Sequence, residues 1–322
     1  MLRRTTLFGI AAMAARPALG QEAWPARSVR LIVPFAAGSS SDTLARLITA
    51  PAAAPLGASF IVENRAGAGG LLAVQQVARA APDGYTLLWG GGTAITNAVM
   101  QRNPGFEILT DFTPVITILE FPAVLCVRDA SPLKDIPGLI AASRAVPGGL
   151  RYGSGGVGTP AHMAAAAMLK LFGTEGTHVP YRGANQATLA VEQGEVDFAF
   201  AISNIAVPRR QQGAVRILAT GGAKRMPVLP EVPTLAELVQ GGPVVVSQSS
   251  IIAPAGLRIA IAERIHAVIR QTVTTDASLR AMVEREGGDY ALSDSPAAYA
   301  ANWEAEFRRL QQLVELSGAR IE

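Results

Sequence analysis

Along nearly the whole chain, short apolar runs of strand character alternate with longer runs of helical spacing. That alternation confines the fold to the α/β class. Residues 29–35 (VRLIVPF) read as a buried strand, AAGSSSD as the loop leaving it, and residues 43–50 as a helix. Pro51 and Pro55 should stop or kink that helix, because proline removes a backbone donor and clashes with the preceding turn. FIVEN at 60–64 is a second strand, and GAGG opens a helix over 71–81. PDG turns the chain into a third strand, YTLLW at 85–89, which ends in the glycine loop GGGT.

The pattern then restarts. PAVLCV at 122–127 reads as a strand, 133–146 as a helix and LRY as a short strand. The loop GSGGVGTP and a helix over 161–172 follow. HVPY, VDFAFA and VRILAT read as later strands, and VVVSQSSIIAP as a flat, polar stretch. Three helices close the chain, over 259–274, 278–286 and 296–316. No repeat of solenoid length is present. Two doubly wound α/β units, the second inserted in the first, account for the restart and for the chain's 322 residues. The first unit would hold residues 24–120 and 248–322, and the second 121–247. Crossings near Glu120–Phe121 and Ser247–Gln248 would make a hinge, and a hinge makes a cleft. The C-terminal helices are expected to pack back on the first unit.

Residues 1–20 are not part of that fold. Arg3 and Arg4 precede an apolar run from Leu7 to Ala15, and Ala18-Leu19-Gly20 fits the small-x-small rule for signal-peptide cleavage before Gln21. The run is too short to span a bilayer. The twin arginine leaves the export route open between the general and twin-arginine pathways. Export places the chain in the periplasm. Of its 28 Lys and Arg, three (Arg3, Arg4, Arg16) lie in the leader, and the rest balance the 25 Asp and Glu. A near-neutral chain gives no argument for a nucleic-acid partner. The single cysteine, Cys126, permits no internal disulfide and reads as a buried, inert thiol.

The chemistry-bearing features are two loops. A loop that leaves a parallel strand and enters a helix offers unpaired N–H groups at the positive end of the helix dipole, which holds anions without a lysine. AAGSSSD and GSGGVGTP both have this form, and Pro160 suits a first helical turn. Facing each other, they could grip a carboxylate at the carboxyl ends of the strands. Phe35 is open between core and an apolar wall of the site, and Ala37 lies in the same loop. Ser40 and Ser41 are candidate ligand contacts, and Ser39 is open between contact and turn. Asp42 is read first as a helix cap, since it would repel an anion. Ser154, Gly158 and Thr159 are the second-unit candidates. His162 lies one turn inside the following helix. Tyr181 could offer its hydroxyl or pack, Arg182 is a nearby cation, and Thr93 follows GGGT. Asp197 is read first as a structural acceptor, with an amine of an amino-acid ligand as the alternative.

Gly153, Gly155 and Gly158 satisfy G-x-G-x-x-G, but Glu175 precedes the next strand instead of ending it, and the preceding strand is short and polar. No nucleophile elbow, phosphate-binding lysine loop or zinc-ligand spacing appears. No cofactor, metal or catalytic residue is expected.

VPFAAGSSSD, VENRAGAGG, ARAAPDGYTLLWG, DFTPV, YGSGGVGTPAHM, THVPYRGANQATLAVEQGEVDFAF and LPEVPTLAEL occur in this order. Together they resemble the Bug-type substrate-binding proteins of tripartite tricarboxylate transporters, over nearly the whole mature chain. The resemblance implies a two-domain hinged periplasmic-binding-protein fold, type II-like. It also implies closure over a small carboxylate, partly through water held by two glycine-containing loops, and delivery to membrane permease subunits. A monomer is expected. Ser39 stands where the family often has a second glycine, and Ala166 where it often has an acid. A sensor feeding a signalling partner would use the same clamp, and an exported hydrolase is a further alternative.

Overall fold

The computed structural model describes residues 24–157 and 159–318. The expected signal peptide and Gly158 lie outside them. β1 (Val29–Val33) leads into α1 (Ser40–Leu56), and β2 (Phe60–Asn64) pairs parallel with β1. Contrary to expectation, α1 runs through both prolines. Its apolar residues Leu44, Ala45, Ile48, Ala52 and Leu56 are buried, whereas Pro51 and Pro55 are exposed. The missing donors therefore fall on the water-facing side, where solvent reaches the freed carbonyls, and burial of the opposite stripe holds the helix. It ends at Gly57, whose φ of 83° only glycine adopts without strain.

A 3₁₀ turn at Ala68–Gly70 precedes α2 (Leu71–Ala78), and β3 (Thr86–Trp89) joins β1 on its other side. GGGT is not a free loop: it forms the first turn of α3 (Gly91–Met100). β4 (Phe112–Arg128) follows, 17 residues long, nearly all buried. At about 3.3 Å per residue it reaches roughly 55 Å, enough to serve two sheets.

The second lobe holds α4 (Ile136–Ala145), β5 (Leu150–Ser154), α5 (Pro160–Leu171), β6 (Gly176–Pro180), α6 (Ala184–Gln193), β7 (Phe198–Ile202), α7 (Ser203–Gln211), β8 (Val215–Thr220) and α8 (Leu235–Leu238). β9 (Val246–Pro254), α9 (Ile259–Thr275), α10 (Ala277–Arg285), β10 (Asp289–Tyr290) and α11 (Pro296–Ser317) complete the chain.

The strand order is β2-β1-β3-β9-β4-β7-β5-β6. β4 pairs antiparallel with β9 from Phe112 to Pro122 and with β7 from Ala123 to Val127, while β8 pairs with its second half on the other side. The chain thus changes sheets inside a continuous strand. This is the two-lobed, doubly wound α/β architecture that the sequence implies, with α9 packed on α1 and β4. α11 departs from expectation. Its stripe of Tyr299, Trp303, Phe307, Leu310, Leu313 and Val314 packs on α3 and β4 and also on α5 of the second lobe. A 22-residue apolar stripe is longer than one lobe covers. Trp303 Nε1 donates to Ile108 O at 3.0 Å, and Arg309 Nη1 donates to Val244 O at 2.6 Å beside the return crossing.

Candidate functional site

In the first lobe, the loop after β1 is organised by its own acid. Asp42 Oδ2 accepts from Gly38 N at 2.9 Å, and Oδ1 accepts from Asn64 Nδ2 at 3.0 Å and Arg46 Nε at 2.9 Å. Burial alone would push this carboxyl up, but the Gly38 N–H, the Asn64 amide and Arg46 together hold it below the usual range. Asn64 Nδ2 also donates to Phe35 O at 3.0 Å, pinning the strand end. Ser39 caps α1 by accepting from Asp42 N at 3.3 Å. Phe35 is half-buried, Ala37 is exposed, and Ser40 and Ser41 sit partly exposed in the first turn of α1.

Thr93 stands in the first turn of α3, its N–H donating to Gly90 O at 3.0 Å. It packs so tightly on Gly70 that a Cβ there would meet Thr93 Cγ2 at 2.7 Å. Asn97 Nδ2 donates to both Thr93 O and Gly69 O, tying the glycine turn to α3.

The second-lobe loop rests on a stack of rings. Ser154 is fully buried at the end of β5; its Oγ lies 2.7 Å from His178 Nε2 and donates to Gly156 O at 2.9 Å. The His178 ring stacks on His162 with centroids 3.9 Å apart and on Tyr152 at 5.0 Å. Burial, reinforced by His162, lowers the His178 pKa to about 4, and burial lowers that of His162. Thr159 caps α5, accepting from His162 N at 3.4 Å and donating to Gly156 O at 2.9 Å. A Cβ on Gly155 would lie 2.9 Å from Ala184 N, so only glycine lets this loop lie on the start of α6. The loop also faces the first lobe: a Cβ on Gly69 would come within 3.8 Å of Val157 O.

Tyr181 adjoins the second-lobe loop, its N–H donating to Ser154 O at 2.9 Å. Tyr181 donates its hydroxyl to Glu195 Oε2 at 3.3 Å. Asp197 accepts from Arg151 N at 2.8 Å and pairs with Arg151 Nε at 3.6 Å, just before β7, at the amino end of that strand. Arg182 is exposed.

The lobes meet over a cavity of about 440 Å³ lined by Gly38, Ser40 and Thr43 from the first and Asn185, Asn204 and Arg209 from the second. Asn204 Nδ2 donates across it to Ser40 Oγ at 2.5 Å. Arg209 is paired with Glu192. The helix starts of α6 and α7, which carry Asn185 and Asn204, have no side-chain cap, in contrast to α1 and α5. Their first N–H groups are the donors left for an anion. Sequence reasoning missed both asparagines. For Asn204 the available signal was a strand, VDFAFAI, followed directly by SN and a helical run.

Among the described residues no group of His, Cys, Asp and Glu is arranged to hold a metal, and no helix is long and apolar enough to cross a membrane. Cys126 is buried, its thiol pushed up to about 12 by burial.

Two α/β lobes joined by crossing strands, with a cavity between them at the carboxyl ends of β1 and β7, define a solute-binding protein of the periplasmic-binding-protein fold. Residues 44–313 match the tripartite tricarboxylate transporter family receptor, and the chain belongs to that family. It is 32% identical over 318 residues to a protein encoded in the tcbD-tcbE intergenic region of a Pseudomonas species, covering 97% of this chain and 94% of that one. Among solved structures, an R. palustris protein with adipate superposes with a TM-score of 0.82 at 32% identity, covering 92% of this chain and all of that one. MatC from Rhodopseudomonas palustris with bound malate gives 0.82 at 31% identity, covering 90% of this chain and all of that one.

Proposed function

We propose that this chain is exported to the periplasm, with residues 1–20 removed. There it captures a small carboxylate between its lobes and presents it to the membrane subunits of a tripartite tricarboxylate-type transporter, without transforming it. The observation that carries this reading is the interlobe cavity, bordered by the uncapped starts of α6 and α7. Backbone N–H groups at those starts, with Ser40 and the two asparagines, supply donors for a carboxylate without a free cation. The adipate and malate held by the two R. palustris proteins support the ligand class. Closure is proposed to bend the strands that cross between lobes, β4 near Glu120–Phe121 and β9 near Ser247–Gln248. Units of residues 24–120 with 248–322 and of 121–247 would then move as bodies. The ligand drives closure only through its better fit to the closed form.

Calorimetry on the chain from Gln21, stripped of carried ligand, tests the reading against mono-, di- and tricarboxylates and amino acids. Micromolar or tighter binding of one carboxylate class, with the solute recovered unchanged, is expected. Silence across the panel from folded protein, or turnover of the solute, overturns it.

A further inference from the structure

Among the described residues that line the interlobe cavity, only Arg209 and Glu286 carry charge. Arg209 is matched by Glu192. Glu286 is not matched: among the described residues its carboxyl has no hydrogen bond and no ion pair. Burial pushes that carboxyl up, and the charge of the preceding Arg285 opposes the shift without pairing with it. The second lobe fixes where Glu286 stands. It closes α10, and Gly287 turns the chain there with a φ of 75°. Gly287 O accepts from Ser203 Oγ at 3.2 Å, and a Cβ on Gly287 would lie 3.3 Å from Ser203 Cβ. The turn therefore sits against the start of α7, one of the two uncapped helix starts whose N–H groups are proposed to hold the ligand's carboxylate. An unpaired acid of the first lobe thus stands beside an electropositive helix end of the second.

An unpaired acid beside an anion site repels a plain carboxylate and attracts one that carries its own cation. Resting on the carboxylate reading above, we infer that Glu286 is a specificity-determining residue and that the solute is a carboxylate bearing an ammonium group, an amino acid. The ligand's carboxylate takes the α7 start and its ammonium group takes Glu286, so one small zwitterion joins the lobes. Asp42, which holds the Gly38 N–H, cannot play this part, because Arg46 and Asn64 already fill its other oxygen. Ser40 is committed to Asn204 and carries no charge. A hydroxyl in place of the ammonium group would leave two negative charges facing each other, so charge, beyond hydrogen bonding, sets the choice. By the usual strength of a hydrogen bond between charged groups, the amino acid should bind roughly tenfold tighter or more than its hydroxy analogue.

Matched pairs that exchange only an amino for a hydroxyl group test this: alanine against lactate, aspartate against malate, and glutamate against 2-hydroxyglutarate, each titrated calorimetrically into ligand-stripped protein. In whichever pair binds, the amino acid should be favoured roughly tenfold or more. Glu286→Gln keeps the shape and removes the charge. It should weaken the amino acid and strengthen the hydroxy acid, bringing the ratio close to one, whereas a merely structural role would weaken both alike. Glu286→Ala serves as the readout, with the same collapse of the ratio, if the glutamine variant does not fold by circular dichroism. Equal binding of both members, preference for the hydroxy acid, or an undiminished ratio in the folded variant overturns the inference and leaves the carboxylate reading standing. Failure of every pair to bind folded wild-type protein overturns the carboxylate reading itself, and the inference with it.

Discussion

The two loops that read most clearly as anion sites are built on opposite plans, and both differ from the helix starts that border the cavity. The loop before α1 carries its own anion: Asp42 takes the Gly38 N–H, the Asn64 amide and Arg46, and Ser39 caps the helix. The loop before α5 carries none and is shaped by close packing, with Gly155 against α6 and Ser154 locked to a ring stack. In each, most of the conspicuous hydroxyls and acids are spent on holding the loop; Ser40 instead meets Asn204 across the cavity. Of the helix starts without a side-chain cap, those of α6 and α7 border the cavity. A residue's suitability for a ligand and its suitability for capping rest on the same chemistry, so composition alone cannot separate the two.

The largest expected effect breaks the first plan. Asp42→Ala leaves Arg46, Asn64 and the Gly38 N–H without their acceptor around a nearly buried site. The variant should lose about 3 kcal/mol of stability in urea unfolding, as when one partner of a buried charged network is removed. A loss under 1 kcal/mol would mean that the loop does not depend on its internal acid. Next comes the cavity. Ser40→Trp puts a large side chain on a partly exposed position facing Asn204, and should weaken carboxylate binding about a hundredfold, near 2.7 kcal/mol, with the melting temperature little changed. Unaltered affinity would place the solute elsewhere. The same swap at Ser154, which is fully buried, should instead prevent folding.

The fold was largely legible because each strand ends in a turn signal and each lobe repeats the same alternation. Two elements were not. Pro51 and Pro55 read as a stop, yet tertiary burial of Ile48, Ala52 and Leu56 outweighs two lost bonds on the wet face. GGGT read as a loop, but Gly91 allows a close approach of Tyr299, Trp303 and Ser250 that no Cβ would permit, and the helix starts there. For the site, sequence located both loops but not their caps: Asp42 reads as the cap of α1, a place that Ser39 takes, and Thr159, which reads as a ligand candidate, caps α5. It could not show that Ser154 turns to His178, that Tyr181 turns to Glu195, or that Asn204 reaches Ser40, since those partners are 14 to 164 residues away along the chain.

Acid and base responses sharpen the contrast between the lobes' packing and their junction. His178 is held near 4 in the fold against an ordinary 6.5. Between those values the unfolded chain binds more protons, so this group's stabilisation is present above pH 6.5 and lost as the pH falls towards 4. At the crossing, Glu306 on α11 is pushed up to about 7 from an ordinary 4.5, chiefly by burial, with Arg309 opposing and Glu120 adding. Here the folded chain binds more protons, so stability falls as pH rises from 4.5 to 7. Each span corresponds to roughly 3 kcal/mol, of opposite sign, and they overlap between 4.5 and 6.5. The wild type should therefore show nearly flat stability across the overlap. His178→Gln should unmask a stability that falls with rising pH there, and Glu306→Gln one that rises. Parallel profiles in the two variants would show that these groups do not set the pH response.

The smallest effect distinguishes a cap from a ligand contact. Thr159 offers its Oγ1 to His162 N and its hydrogen to Gly156 O, so it closes the α5 start from within the lobe. Thr159→Ala should cost about 1 kcal/mol of stability, the usual value of a lost cap. Because both of its bonds stay inside the second lobe, carboxylate affinity should change no more than about threefold, whereas Thr159→Ser should restore stability fully. If the alanine variant instead loses affinity tenfold or more with stability intact, Thr159 touches the solute. The two loops would then share a ligand as well as a plan, and the division between capped and uncapped helix starts would no longer mark the site.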